Sequence, residues 1–296
     1  MKQVCFTIAI LCLVHFSASG QSKMKMEDLK QKISQELKKY KGNYAVAFKD
    51  LSTGEEFSIN ERLTFHAAST MKMPVMIEVF KQASQGKFAL TDSITIKNEF
   101  KSIVDGSLYK QDSIQDSDHT LYRHIGEKRA IKDLVYEMII VSSNFATNLV
   151  IDLVGAKNVT QTMRDLGAKD ILILRGVEDA KAFQKGLNNT TNAFDLRLLF
   201  EKMALGKIVD QKACDAMIKI LLDQKFNDVI PGNLPKDVKV AHKTGGLPNI
   251  QHDSGIVFLP DGRKYVLVIL SRDWENEAAN RKMLAGVSEM IYLNLK

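Results

Sequence analysis

Ala67-Ala68-Ser69-Thr70-Met71-Lys72-Met73-Pro74-Val75-Met76-Ile77 is the stretch around which the rest of the chain is organised. A serine and a lysine three residues apart fall on one face of a helical turn. They nearly eclipse in 3₁₀ geometry and are neighbours in an α-helix. The residues that follow are apolar on almost every side through Val79 and Phe80, which predicts a buried central helix. Pro74 lacks a backbone donor, so the helix is expected to start just before it. The stretch thus places a hydroxyl and an amine at the mouth of a buried helix. An amine partly stripped of water loses proton affinity and can act as a base toward the hydroxyl. The same spacing recurs at Ser22–Lys25, Ser84–Lys87 and Ser107–Lys110, in polar surroundings. The spacing alone therefore carries little; the buried helix sets Ser69 apart.

The chain has 296 residues, enough for one or two domains and a substantial core. Its net charge is +6, with lysines scattered among acids and no basic block or aromatic–basic interleaving. That distribution argues for a solvated surface and against nucleic-acid binding.

Met1–Gly20 reads as an export signal. Lys2 supplies the positive end, Val4 to Phe16 the apolar run, and Ala18-Ser19-Gly20 the small-residue cleavage site. No later stretch reaches about 18 apolar residues, so no transmembrane segment is expected. The mature chain is expected to be periplasmic or secreted. Cys5 and Cys12 leave with the signal, and Cys214 remains without an internal disulfide partner. Cys214, Met217, Ile218 and Leu221 share helical spacing, which suits core packing.

Met26, Leu29, Ile33, Leu37 and Tyr40 form a helical stripe that ends at Gly42. Tyr44–Lys49 and Glu56–Asn60 alternate around Ser52-Thr53-Gly54 and read as a hairpin. From Ser69 to Leu222 the pattern is mainly helical, with a long polar stretch at 98–126. Such connections are usually functional or disordered. Strands are expected again at Val238–Lys243, Ser254–Leu259 and Lys264–Ser271, and a closing helix at Ala278–Leu293. Strands at both ends predict one antiparallel sheet assembled from both termini. The expected division is an α/β sandwich from residues 21–68 and 223–296 and an all-helical part from 69–222, with a cleft between them.

Two further segments carry chemistry. Val141-Ser142-Ser143-Asn144 stands between two striped helices. It reads either as capping or as a proton-passing hydroxyl beside an amide that bonds substrate. His242-Lys243-Thr244-Gly245-Gly246 ends an expected strand. It reads either as an ordinary strand end or as a carboxylate site where glycine admits a ligand close to the backbone.

Ser-x-x-Lys, Ser-x-Asn and Lys-Thr-Gly in this order resemble the active-site serine penicillin-recognising enzymes, most closely the class A β-lactamases. The resemblance covers essentially the whole mature chain. It implies a β-lactamase-like fold, with a five-stranded antiparallel sheet flanked by helices beside an all-helical domain. Ser69 would be the nucleophile acylated by a β-lactam, and Lys72 would help to activate it. Ser142 would carry a proton to the leaving nitrogen, and Asn144 would hold the acylamido side chain. Lys243 and Thr244 would bind the substrate carboxylate, with Gly245 beside them. The N–H groups of Ser69 and Gly246 would form the oxyanion hole. No cofactor and no metal are implied, and the protein would act as a monomer on a small-molecule substrate.

The sequence departs from the family pattern at three places. Ser143 stands where the family has aspartate. Ser254, before Gly255, stands where many members have arginine. The loop that supplies the deacylating glutamate in the family corresponds to about 175–189 and offers two alternatives. Gln184-Lys185-Gly186-Leu187-Asn188 has the family spacing, but glutamine cannot be a general base. Glu178, between Arg175 and Asp179, is the alternative base, or else a salt-bridge partner of Arg175. Other readings are a related hydrolase acting on peptidoglycan D-Ala peptides or on simple esters, and a penicillin-binding module that stays acylated. The histidines show no metal-ligand spacing.

Overall fold

The computed structural model describes residues 24–296. The export segment expected at Met1–Gly20 lies outside them. After helix α1 (Met26–Leu37) come strands β1 (Asn43–Asp50) and β2 (Glu56–Ile59), then a 3₁₀ turn, Ala68–Met71, that runs directly into α2 (Lys72–Ser84). The helical middle contains α3 (Ile131–Ile140), α4 (Asn144–Val154), α5 (Ala156–Asp165), α6 (Ala180–Gln184), α7 (Ala193–Ala204) and α8 (Gln211–Leu222). Strands β3 (Lys239–Leu247), β4 (Ile250–Phe258) and β5 (Lys264–Arg272) precede the closing helix α9 (Glu277–Leu295).

The five strands form one antiparallel sheet in the order β2-β1-β5-β4-β3. The N-terminal hairpin therefore joins the C-terminal meander through the β1–β5 pair, as expected from strands at both ends of the chain. Successive residues of a strand face opposite sides, and here both sides are covered. Ala45, Ala47, Val266, Val268 and Leu270 pack with the helices of the middle segment. Val46, Phe48, Leu267 and Ile269 pack with α1 and α9. This is why β5 is buried from Tyr265 to Ser271 rather than alternating. One apolar core runs from α2 across to the sheet, so the division we propose at residues 68 and 222 rests on chain order and not on separate cores.

Two boundaries differ from expectation. Lys243-Thr244-Gly245-Gly246 does not end its strand: β3 runs on to Leu247 and β4 begins at Ile250. The reason is the two-residue link Pro248-Asn249, with Asn249 at φ +61°, which lets pairing continue from Thr244↔Asp253 to Leu247↔Ile250. The long 98–126 segment is ordered by its own short ladder, Phe100–Lys101 with Leu108–Tyr109, and by a turn at Leu121–His124.

Candidate active site

Helix α2 is buried at every position from Lys72 to Phe80, so its first residue enters the protein interior. Lys72 is fully buried. Its Nζ donates to the Ser142 carbonyl at 2.6 Å, to Ser142 Oγ at 3.2 Å and to Asn144 Oδ1 at 2.8 Å. Burial pulls its pKa down to about 7, against the opposing charges of Asp116 and Glu178. Ser69 sits three residues earlier on the 3₁₀ turn, partly exposed, and lines a cleft of about 760 Å³. Ser142, Asn144, Thr244, Gly245 and Gly246 line the same cleft. All nine residues singled out from the sequence are thus brought to this region, with Lys72, Lys243 and Glu178 linked to its walls through Ser142 and Asn144.

Lys243 lies behind the wall rather than on it. It is fully buried, and its Nζ donates to Ser142 Oγ at 3.1 Å and to the Thr244 carbonyl at 3.0 Å. Desolvation first, and then the neighbouring Lys72, hold its pKa well below the usual lysine value, while Asp253 pulls it up. Gly245 passes close to the Ser69 turn. A Cβ there would lie 3.2 Å from Ser69 N and 3.1 Å from Thr70 N, tighter than ordinary contact. The glycine therefore lets the β3 backbone approach the N–H groups of that turn. As an edge strand, β3 also keeps backbone groups unpaired by the sheet.

The α3–α4 junction presents Ser142 and Asn144 through an unusual backbone. Ser142 has φ +59°, and Ser143 caps α4 by accepting from Ala146 N at 3.2 Å. Left-handed φ is costly for a residue with a side chain. Ala68 (φ +44°), next to Ser69, and Glu178 (φ +61°) share it, so each of the segments that carry Ser69, Ser142 and Glu178 contains one such residue.

In the loop 175–189, Glu178 rather than Gln184 is bonded to a residue of the cleft wall. The neck of the loop is closed by Asn189, whose Oδ1 accepts from Leu174 N and Arg175 N at 2.8 and 3.2 Å. Asn148, one helical turn after Asn144, grips it by accepting from Val177 N at 2.6 Å and donating to Val177 O at 3.0 Å. Glu178 follows, and its Oε1 accepts from Asn144 Nδ2 at 2.7 Å. A lysine only donates, so Asn144 turns its Oδ1 to Lys72 and leaves its Nδ2 for Glu178. Loss of hydration raises the Glu178 pKa, the Asn144 bond lowers it, Asp116 raises it and Lys72 lowers it. Gln184 instead ends α6 on the exposed surface. Arg175 is not the partner of Glu178: its guanidinium donates to Leu187 O, Gly176 O and Asn188 Oδ1. Ser254, expected near the carboxylate site, is fully buried with its hydroxyl on Lys243 O at 3.3 Å. His252 lines the cleft instead, its pKa lowered to about 4 mainly by burial. His242 pairs with Asp253 at 2.8 Å in the interior.

Two contributors escaped the sequence reading. Asn148 was accessible in principle, since i and i+4 share a helix face. Asp116 was not: its carboxylate comes from the long polar loop and is 4% exposed. It accepts from Asn144 N at 2.9 Å and Phe145 N at 2.8 Å, so it caps a helix 28 residues away.

A family profile described as the Beta-lactamase enzyme family matches residues 28–295. The chain belongs to this family. It is similar to a β-lactamase of Bacteroides uniformis, with 25% identity over 97% of this chain and 98% of the relative. Among solved structures it resembles a β-lactamase from Sphaerobacter thermophilus, with a TM-score of 0.78, 25% identity, and coverage of 92% of this chain and 99% of that one. A PBP-A variant described as an acyl-enzyme complex with penicillin G is similar to the same degree, with a TM-score of 0.78, 25% identity, and coverage of 93% and 98%. As a β-lactamase family member, the chain has the family's fold. Among the described residues, no helix is long and apolar enough to cross a membrane.

Proposed function

We propose that this chain is an exported serine hydrolase that opens β-lactams through an acyl-enzyme on Ser69. The observation that carries the reading is Lys72: a buried amine brought to about pKa 7, three residues from a cleft-facing serine and bonded to Ser142 and Asn144. An amine near neutrality can accept a hydroxyl proton at physiological pH. Ser69 Oγ attacks the lactam carbonyl, and the bond from that carbon to the ring nitrogen breaks. Ser142, in contact with both lysines, returns a proton to the departing nitrogen. The N–H groups of Ser69 and Gly246 hold the developing oxyanion, and Asn144 holds the acylamido group. Thr244 meets the substrate carboxylate at the wall, and Lys243 supports it electrostatically from behind. Glu178 then takes a proton from water, which cleaves the ester and frees Ser69.

The likeness to PBP-A favours a second reading, a penicillin-binding protein that deacylates slowly. One experiment separates the two. Purified protein is mixed with a chromogenic cephalosporin, product is followed, and intact mass is taken. Wild type should turn over repeatedly, and the Ser69→Ala protein should neither turn over nor gain mass. An adduct on Ser69→Ala would sink the nucleophile assignment. A single equivalent of product from wild type would favour the slow reading.

A further inference from the structure

The first turn of α4 has no unsatisfied donor, and the way it is satisfied points to a residue outside the three motifs. Ala146 N goes to Ser143 Oγ and Thr147 N to Ser143 O. Asn144 N and Phe145 N go instead to the two oxygens of Asp116, at 2.9 and 2.8 Å. Oδ2 also accepts from Tyr122 OH at 3.0 Å, and Oδ1 from Asp118 N at 3.2 Å. Next to Asp116, Ser117 Oγ donates to Val141 O at 2.6 Å. The carboxylate is thus held by four donors, two of them the backbone N–H groups that open the helix at its positive end. The residues on either side of Asp116, Gln115 and Ser117, line the cleft.

We propose that Asp116 is a positioning residue: it fastens the start of α4 so that Ser142 and Asn144 stay on Lys72, and its carboxylate offsets the buried charge of Lys72. Ser142 and Asn144 flank a serine with no charge of its own, so neither motif provides that balance. The charged groups around Lys72 are Asp116 and Glu178, which favour its ammonium form, and Lys243, whose charge Lys72 disfavours. Of the two carboxylates, Glu178 is on an exposed stretch of loop and is bonded through Asn144, whereas Asp116 is tied to the backbone of the junction itself. The proposal builds on the reading of Lys72 as the base, but the test does not depend on it.

The test uses protein labelled with ¹³C at lysine Cε and follows the Lys72 resonance with pH. Wild type should titrate near pH 7. In Asp116→Asn, which keeps shape and removes charge, the midpoint should fall by about one pH unit, with melting still cooperative. Asp116→Glu should restore the midpoint toward wild type. An unmoved midpoint in folded Asp116→Asn would reduce Asp116 to a helix cap and overturn the proposal. Should Asp116→Asn not fold, wild type still decides: the Asn144 and Phe145 amides must be protected from solvent exchange, and rapid exchange of both overturns the proposal. A midpoint that falls in a protein that never forms a Ser69 adduct would uphold Asp116 and refute the acyl-enzyme reading.

Discussion

Lys72 and Lys243 reach the same hydroxyl: Ser142 Oγ lies 3.2 Å from one ammonium nitrogen and 3.1 Å from the other. Both lysines are fully buried, and Lys72 disfavours the charge of Lys243. Two neighbouring cations in a dry site cannot both be held cheaply, so one proton is loosely kept. A hydroxyl placed between them can receive a proton from one side and release it toward the cleft. This arrangement places acid and base chemistry on one small group.

The rate of acylation should rise with pH through about 7, as Lys72 loses its proton. Rapid-quench mass spectrometry of the Ser69 adduct between pH 5 and 9 measures it. A flat profile would remove Lys72 from the role of base.

Lys72→Met should be more stable than wild type at low pH, and the advantage should shrink as pH rises. Between pH 7 and 10.5 the unfolded chain keeps a proton on Lys72 that the folded protein gives up. Wild-type stability therefore increases with pH across that window, and the penalty is complete below about pH 7. Thermal melts at pH 6 and pH 9 compare the two proteins. A wild type that is the more stable at pH 6 would contradict the argument.

Lys243→Ala should weaken turnover of a carboxylate-bearing β-lactam more than that of an uncharged ester. Lys243 acts on the carboxylate through its charge from behind the wall, so a difference of about tenfold in kcat/KM is expected. Equal losses on the two substrates would confine Lys243 to the Ser142 contact.

Glu178→Gln should acylate normally and then stall. Desolvation and Asp116 raise the Glu178 carboxyl above its ordinary value, against the Asn144 bond and Lys72, which makes it a stronger base than an unperturbed glutamate. A general base contributes about a hundred- to ten-thousand-fold, so one burst of product and a persistent adduct should be plain. Undiminished steady-state turnover would transfer the role to another group.

The sequence by itself determined the parts that repeat on a short length scale. Apolar stripes with helical period placed α1, α3 and α4, an almost wholly apolar run placed α2, and strand signals at both ends of the chain pointed to one sheet built from both termini. Ser69 and Lys72 were legible together because one helical turn joins them. The Ser142–Asn144 and Lys243–Gly246 segments were legible because each is contiguous. Only the tertiary structure put Glu178, and not Gln184, against Asn144, since both lie in one loop and their directions depend on Asn148 and Asn189, which hold that loop from elsewhere. It also decided that Lys243 lies behind the cleft wall and that β3 continues through the glycines, because burial and strand pairing belong to the partner elements. Asp116 is the clearest case. A carboxylate in a polar loop looks solvated in sequence, and it becomes a buried helix cap only when long-range packing brings the first turn of α4 against it.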